Sequence, residues 1–220
     1  MVATLPRVKG ALLAPLRTLG VRWGHSQLRR RGYAGLFLAA PEDALRPDWA
    51  DLWFLYRTVR ARRPRCVLEF GSGCSTAIMA SALAENARDG GEPGHLYSVE
   101  SSAAWADVTR RYVPEPARPY CTLLVTPVVT AAGVKGIRVL RHATVPDVRP
   151  DLVYLDGPPL TAEARVADDL LRLEDQLAAR CFIVVDGRKE NALFLRRHLR
   201  GRYRYRWRHV FYNGWFEALD

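Results

Sequence analysis

A chain of 220 residues and 24.8 kDa is sized for one domain with extensions, and 49% hydrophobic with 25% charged residues is ordinary globular usage. That balance excludes a disordered chain, a collagen-like repeat or a disulfide scaffold, and no apolar run approaches the roughly 18 residues of a membrane span. The formal charge of +10, carried by 30 Arg and only 3 Lys, invites a nucleic-acid reading, but it is unevenly spread: residues 1–65 carry +9, residues 66–195 carry −4 and residues 196–220 carry +5.

The first 41 residues hold seven basic groups and no acid. Residues 1–47 are read as a retained basic arm and substrate-side segment; organellar targeting is the alternative for such a composition. Pro47-Asp48 opens a helix in which Trp49, Leu52, Trp53, Tyr56 and Val59 recur at helical spacing, with Asp48 as N-cap and Asp51 in the first turn. Cys66 to Phe70 is a short apolar strand, ended by Gly71-Ser72-Gly73 and followed by a helix over Ser75 to Leu83. His95 to Glu100 reads as a second strand, Ala103 to Tyr112 as a helix, and Tyr120 to Val129 as a third strand. Residues 131–150 show little periodicity and, with residues 20–47, are assigned to the acceptor side. Asp151 to Asp156 is a fourth strand, Thr161 to Ala179 a helix, and Cys181 to Asp186 a fifth strand.

Basic and aromatic residues alternate from Arg202 to Arg208, which at a period of two sends rings to one face and guanidinium groups to the other. Asn213-Gly214 supplies hairpin-turn chemistry before a last strand over Trp215 to Leu219. Strands alternating with helices imply crossovers and a parallel sheet, so the expected fold is α/β, a Rossmann-like doubly wound sheet of about seven strands with an antiparallel C-terminal hairpin. The four cysteines, Cys66, Cys74, Cys121 and Cys181, form no CxxC pair; they read as buried thiols of a cytoplasmic protein.

In such sheets ligands bind beyond the carboxyl ends of the strands, where this chain places Glu69, the glycine turn, Glu100, Asp156 and Asp186. In a dinucleotide fingerprint the third glycine would stand at Thr76, and the residue two before the first glycine is apolar; here it is Glu69. A carboxylate there suits a ligand with a cationic amino group better than one with a pyrophosphate. The stretch Val67 to Thr76 resembles motif I of the class I S-adenosylmethionine-dependent methyltransferases, and Ser98-Val99-Glu100 is similar to their acidic second-strand motif. The resemblance covers residues 48–220, a methyltransferase-like domain, and implies the strand order 3-2-1-4-5-7-6.

By this resemblance Glu69, Gly71, Ser72, Gly73, Ser75, Thr76 and Glu100 form the S-adenosylmethionine site, with Glu69 toward the methionine end and Glu100 on the ribose. Asp156 and Asp186 are the catalytic candidates. They match carboxylates that hold magnesium in the catechol-type O-methyltransferases, although Gly187 stands where that family has Asn and only a bent loop would bring in Asn191. Asp156-Gly157-Pro158-Pro159-Leu160 departs from the nitrogen-methylating Asp/Asn-Pro-Pro-aromatic motif in register and in its missing ring. His142 is a further general-base candidate. The expected function is O-methylation of a small molecule. The alternatives are a nucleic-acid-binding protein or nucleic-acid methyltransferase using the basic ends, and a non-catalytic ligand-binding relative; contact with an anionic surface through those ends is a further expectation.

Overall fold

The computed structural model describes residues 6–38 and 46–219, with side chains described from Leu13 onward. In chain order the helices are α1 (Pro6–Arg30), α2 (Trp49–Arg62), α3 (Cys74–Arg88), α4 (Ala103–Tyr112), α5 (Asp169–Arg172) and α6 (Lys189–His198). The strands are β1 (Cys66–Phe70), β2 (His95–Glu100), β3 (Cys121–Val125), β4 (Val128–Ala132), β5 (Arg138–His142), β6 (Leu152–Leu155), β7 (Phe182–Asp186), β8 (Tyr203–Arg208) and β9 (Asn213–Ala218).

Seven strands make one sheet in the order β3-β2-β1-β6-β7-β9-β8. The first five are parallel, and β9 pairs antiparallel with both β7 and β8. Counting only the strands of this sheet, that is the expected order 3-2-1-4-5-7-6. The sheet separates two apolar layers because side chains alternate along each strand. Val67, Leu96, Leu152 and Val184 face α2 and α3, while Leu68, Phe70, Val153, Leu155, Ile183 and Val185 face α5 and α6. Strands β1, β6 and β7 are buried almost throughout, as expected of parallel strands covered on both faces.

The predicted starts of the helices are set by caps. The Asp48 carboxylate accepts from the amides of Ala50 (3.0 Å) and Asp51 (3.4 Å), and Ser102 Oγ accepts from Trp105 N (3.2 Å). Much of the basic N-terminal segment is the helix α1, packed along α2. Gly24 permits the approach: a Cβ there would fall 2.1 Å from the carbonyl oxygen of Trp49. No helix among the described residues is long and apolar enough to cross a membrane.

Three expectations are corrected. The run Tyr120 to Val129 is not one strand: it breaks at Thr126-Pro127, because proline cannot donate to a ladder, and its second half leaves the main sheet to pair with β5. That antiparallel pair also gives part of residues 131–150, which showed little periodicity, a definite structure. Thr161 to Ala179 is not a long helix; residues 161–168 are irregular, and only α5 and a short 3-10 turn at Glu174–Gln176 are helical. Asp169 explains the break, since its side chain accepts from the His142 amide (2.9 Å) and ties the segment to β5. Lastly, Asn213-Gly214 is not the hairpin turn. Both residues lie in β9, opposite Arg208 and Trp207, and the turn is His209 to Tyr212 with Tyr212 at φ 59°. The alternation in β8 does divide faces as expected: Tyr203, Tyr205 and Trp207 pack on the core, and Arg204 and Arg206 are exposed.

Candidate active site

The carboxyl ends of β1, β2, β6 and β7 bring the predicted acids to one edge of the sheet, each in a different environment. Glu69, at the end of β1, is wholly buried beneath the glycine turn. Its Oε1 accepts from Ser75 Oγ (2.6 Å), and its Oε2 accepts from Thr76 Oγ1 (2.6 Å) and Ser98 Oγ (2.6 Å). Burial pushes its carboxyl up to about 7 against the pull of the three hydroxyls, and the neighbouring Glu100 raises it further. The side chains of Glu69, Ser75 and Thr76 are thus committed to one another. Thr76 closes the network, as its Oγ1 also accepts from the Gly73 amide (2.9 Å) at the first turn of α3. Thr76 replaces a third glycine because its hydroxyl braces the turn.

The glycines are required for different reasons. Gly71 has φ 88°, and a Cβ on it would lie 2.7 Å from Gly157 N, so the turn after β1 touches the turn after β6 backbone to backbone. Gly73 has φ 156°, and a Cβ there would meet only the indole of Trp105 at 3.7 Å. That indole donates from Nε1 to the Ser72 carbonyl (2.7 Å) and forms one wall beside the turn. Sequence reading missed Trp105, whose signal was a lone indole one turn beyond an acidic strand end.

Glu100 is held by a nest of amides. Oε1 accepts from Ser101 N (2.7 Å) and Ser102 N (2.8 Å), and Oε2 from Ser72 N (2.9 Å). Two hydroxyls add to these, Ser72 Oγ at 3.0 Å and Ser101 Oγ at 3.3 Å. The amides fix the carboxylate, whereas the hydroxyls can rotate away and leave acceptor lone pairs for a ligand diol. The Gly71–Gly73 turn, the Trp105 wall and this anchored carboxylate suit an adenosyl ligand.

Across Gly157 lie Asp156 and Asp186. Asp156 is exposed at the end of β6, and its carboxylate accepts no hydrogen bond among the described residues. Enclosure by the surrounding chain raises its pKa, the charge of Asp186 raises it further, and Arg188 opposes the shift. Asp186 accepts from the buried Tyr154 hydroxyl (2.7 Å). Its own carboxyl is also shifted upward, first by burial. Behind it, Asp51 in the first turn of α2 is buried and accepts from Asn213 Nδ2, with Arg208 Nη2 3.9 Å away. Burial and Asp186 together raise the Asp51 pKa, so this residue is a member of the acidic cluster and not a simple surface helix-start charge.

The residues do not compose the expected magnesium site. Among the described residues no three His, Cys, Asp or Glu side chains come together to hold a metal, and Gly187 offers no side-chain donor. Asn191 is fully buried, with Oδ1 accepting from Ala167 N (2.7 Å) and Nδ2 donating to Ala167 O (3.0 Å). Its donor oxygen is therefore taken. His142 is buried as well, its Nδ1 3.1 Å from Asp169 Oδ2 and its ring stacked on Phe70, while Nε2 has no partner among the described residues. The four cysteines are free thiols, and burial raises the pKa of each.

A sequence profile described as a methyltransferase domain matches residues 68–187, more than half of the chain. The chain belongs to the methyltransferase-domain family. Its place among the class I S-adenosylmethionine-dependent methyltransferases agrees with the strand order. No curated protein matches the sequence. Among solved structures, a methyltransferase from Geobacter sulfurreducens is 16% identical with a TM-score of 0.55, covering 98% of this chain and 99% of its own. An S-adenosylhomocysteine-bound methyltransferase from Podospora anserina is 14% identical with a TM-score of 0.53, covering 100% and 99%. A putative O-methyltransferase from Klebsiella pneumoniae is 14% identical with a TM-score of 0.51, covering 92% and 98%. At these identities the likeness is one of fold, and it includes the antiparallel hairpin that closes the methyltransferase sheet.

Proposed function

We propose that the protein transfers a methyl group from S-adenosylmethionine to an oxygen of a small molecule. The observation that carries the reading is the pairing, across Gly71 and Gly157, of an amide-anchored carboxylate at the end of β2 with an open carboxylate at the end of β6. Glu100 takes the ribose hydroxyls in exchange for those of Ser72 and Ser101. The backbone of Gly71 to Gly73 lies along the cofactor, and Glu69, Ser75 and Thr76 hold that turn in shape from below. Residues 48–220 form the catalytic domain, and residues 1–47 belong to the acceptor side.

The cofactor supplies the electrophilic methyl carbon as a sulfonium. The acceptor hydroxyl lies beside Asp156, whose raised pKa brings it closer to neutrality, where a general base works best. Asp156 takes the hydroxyl proton, and the oxygen lone pair forms the new carbon–oxygen bond as the carbon–sulfur bond breaks. Much of the rate comes from in-line alignment. No step runs through magnesium, because the donor set around Asp156 and Asp186 does not fit it.

Calorimetry with S-adenosylhomocysteine on the wild type and on Glu100→Gln tests the cofactor half, and methyl transfer to a panel of phenols and carboxylic acids tests the acceptor half. Absence of S-adenosylhomocysteine binding by the wild type would end the reading.

A further inference from the structure

Arg188 follows β7 by two residues, at the edge where Asp156 and Asp186 emerge. Its Nη2 donates to the carbonyl of Pro158 (2.5 Å), two residues beyond Asp156, so the guanidinium spans the gap between the ends of β6 and β7. That gap is where a cation shared by the two aspartates would have to lie. Nε and Nη1 are shut off from solvent and have no hydrogen-bond partner among the described residues. Among the described residues it forms no ion pair with either aspartate, yet the charges of both act on it. A buried guanidinium with unspent donors is costly unless an anion or water completes it.

Resting on the methyltransferase reading above, we propose that Arg188 is the resident cation of the acceptor site, standing in place of a divalent metal, and that its guanidinium turns the unspent Nε and Nη1 toward an anionic oxygen of the acceptor when the acceptor binds. The acceptor class is then one carrying a phenolate or carboxylate oxygen beside the hydroxyl that Asp156 deprotonates. Arginine suits this task because it stays charged near neutral pH and presents donors in a plane. Gly187, at φ 62° with open space where a Cβ would stand, lets the chain turn sharply so that Arg188 returns toward the gap. Where an asparagine would have offered a metal its oxygen, this chain has a turn that delivers a cation.

Two titrations test the assignment on the full chain, each with and without S-adenosylhomocysteine. Manganese binding, followed by water-proton relaxation, should be absent in the wild type and in Arg188→Lys at millimolar metal. It should appear in Arg188→Ala, at least about tenfold tighter, because two carboxylates then lack their cation. Binding of 4-nitrophenolate and of benzoate, measured against neutral benzamide, should favour at least one anion in the wild type. That preference should fall about tenfold or more in Arg188→Ala and partly return in Arg188→Lys; which anion is preferred separates phenolate from carboxylate acceptors. Wild-type manganese binding that Asp156→Asn abolishes would overturn the proposal, as would an anion preference unchanged in Arg188→Ala. A parallel loss of S-adenosylhomocysteine affinity would assign Arg188 to the cofactor instead. Should S-adenosylhomocysteine not bind the wild type at all, the methyltransferase reading fails by itself, and the titrations made without it still judge Arg188.

Discussion

Glu69→Gln removes a fully buried charge while keeping the shape and hydrogen-bonding reach of the side chain. In the folded protein the carboxyl is pushed from its ordinary 4.5 up to about 7, so the native state holds a proton there that the unfolded chain has already released. Stability from this group is therefore fully present below the unfolded pKa and is lost as pH rises through the folded one. A gap of some two and a half units at about 1.4 kcal/mol each corresponds to about 3.5 kcal/mol. The glutamine variant cannot lose that amount, since it never ionises. Urea denaturation of both proteins at about pH 5 and about pH 8 reads the effect directly. The stability difference should move toward the variant by about 2–3 kcal/mol over that interval. Parallel pH profiles would refute the reasoning, because they would mean that the hydroxyls of Ser75, Thr76 and Ser98 offset the desolvation completely. Glu69→Ala is the control: it leaves three hydroxyls without their acceptor and opens a cavity, so it should cost about 2–4 kcal/mol at about pH 5, and because it too never ionises, that cost should shrink by the same 2–3 kcal/mol at about pH 8.

Glu100→Gln should weaken S-adenosylhomocysteine binding by about 10–100-fold, the equivalent of losing one or two charge-assisted hydrogen bonds, as read by calorimetry. Gly71→Ala and Gly187→Ala form a matched pair, since both glycines have positive φ but only Gly71 abuts backbone. Thermal melts should show a loss of about 3 kcal/mol for the first, from strain plus the clash with Gly157, and about 1 kcal/mol for the second. Asp48→Ala removes the cap of α2 and the partner of Arg17, 2.7 Å away, and should cost about 1 kcal/mol in denaturant unfolding. For methyl transfer, kcat/KM should rise with pH through the elevated Asp156 pKa, because the base must be ionised to accept a proton. Asp156→Asn should lose both the rate and that limb of the pH profile.

The parts of this structure that were legible in the sequence are those in which local pattern and final packing agree. The strand ends at Glu69, Glu100, Asp156 and Asp186, the Asp48 cap and the rings of β8 all follow from short-range rules, and the alternation of elements implies a parallel sheet, whereas the strand order comes from the resemblance to the methyltransferases. What was not legible depends on distant partners. Pro127 marks a break, but only pairing with Arg138–His142 makes Val128–Ala132 a strand. The helical composition of residues 161–179 is overridden by Asp168 and Asp169, which bond Arg141 and His142 across the layer. Asn213-Gly214 has the right residues for a tight turn, yet Asp51 lies on α2, 162 positions away in sequence, and holds Asn213 within the strand. Arg188 went unremarked for the same reason: a basic residue after a glycine gains meaning only once Pro158 is known to face it.

The four acids at the strand ends also differ in how far each is satisfied, and this grading bears on mechanism. Glu69 is buried and accepts from three hydroxyls inside the protein, which suits a residue that holds shape. Glu100 is fixed by backbone amides but shares its remaining capacity with two replaceable hydroxyls, which fits a binding group whose position must not drift. Asp186 accepts from the Tyr154 hydroxyl and the Gly187 amide and is pressed by the charge of Asp48. Asp156 alone of the four has no hydrogen-bond donor among the described residues while remaining exposed. A base has to be the least satisfied member of its set, because every donor already bound to a carboxylate lowers its affinity for the proton it must take. On that ground Asp156 is the residue we propose as the base, and Arg188, whose unspent donors face the same shortage from the opposite sign of charge, is the cation we propose beside it.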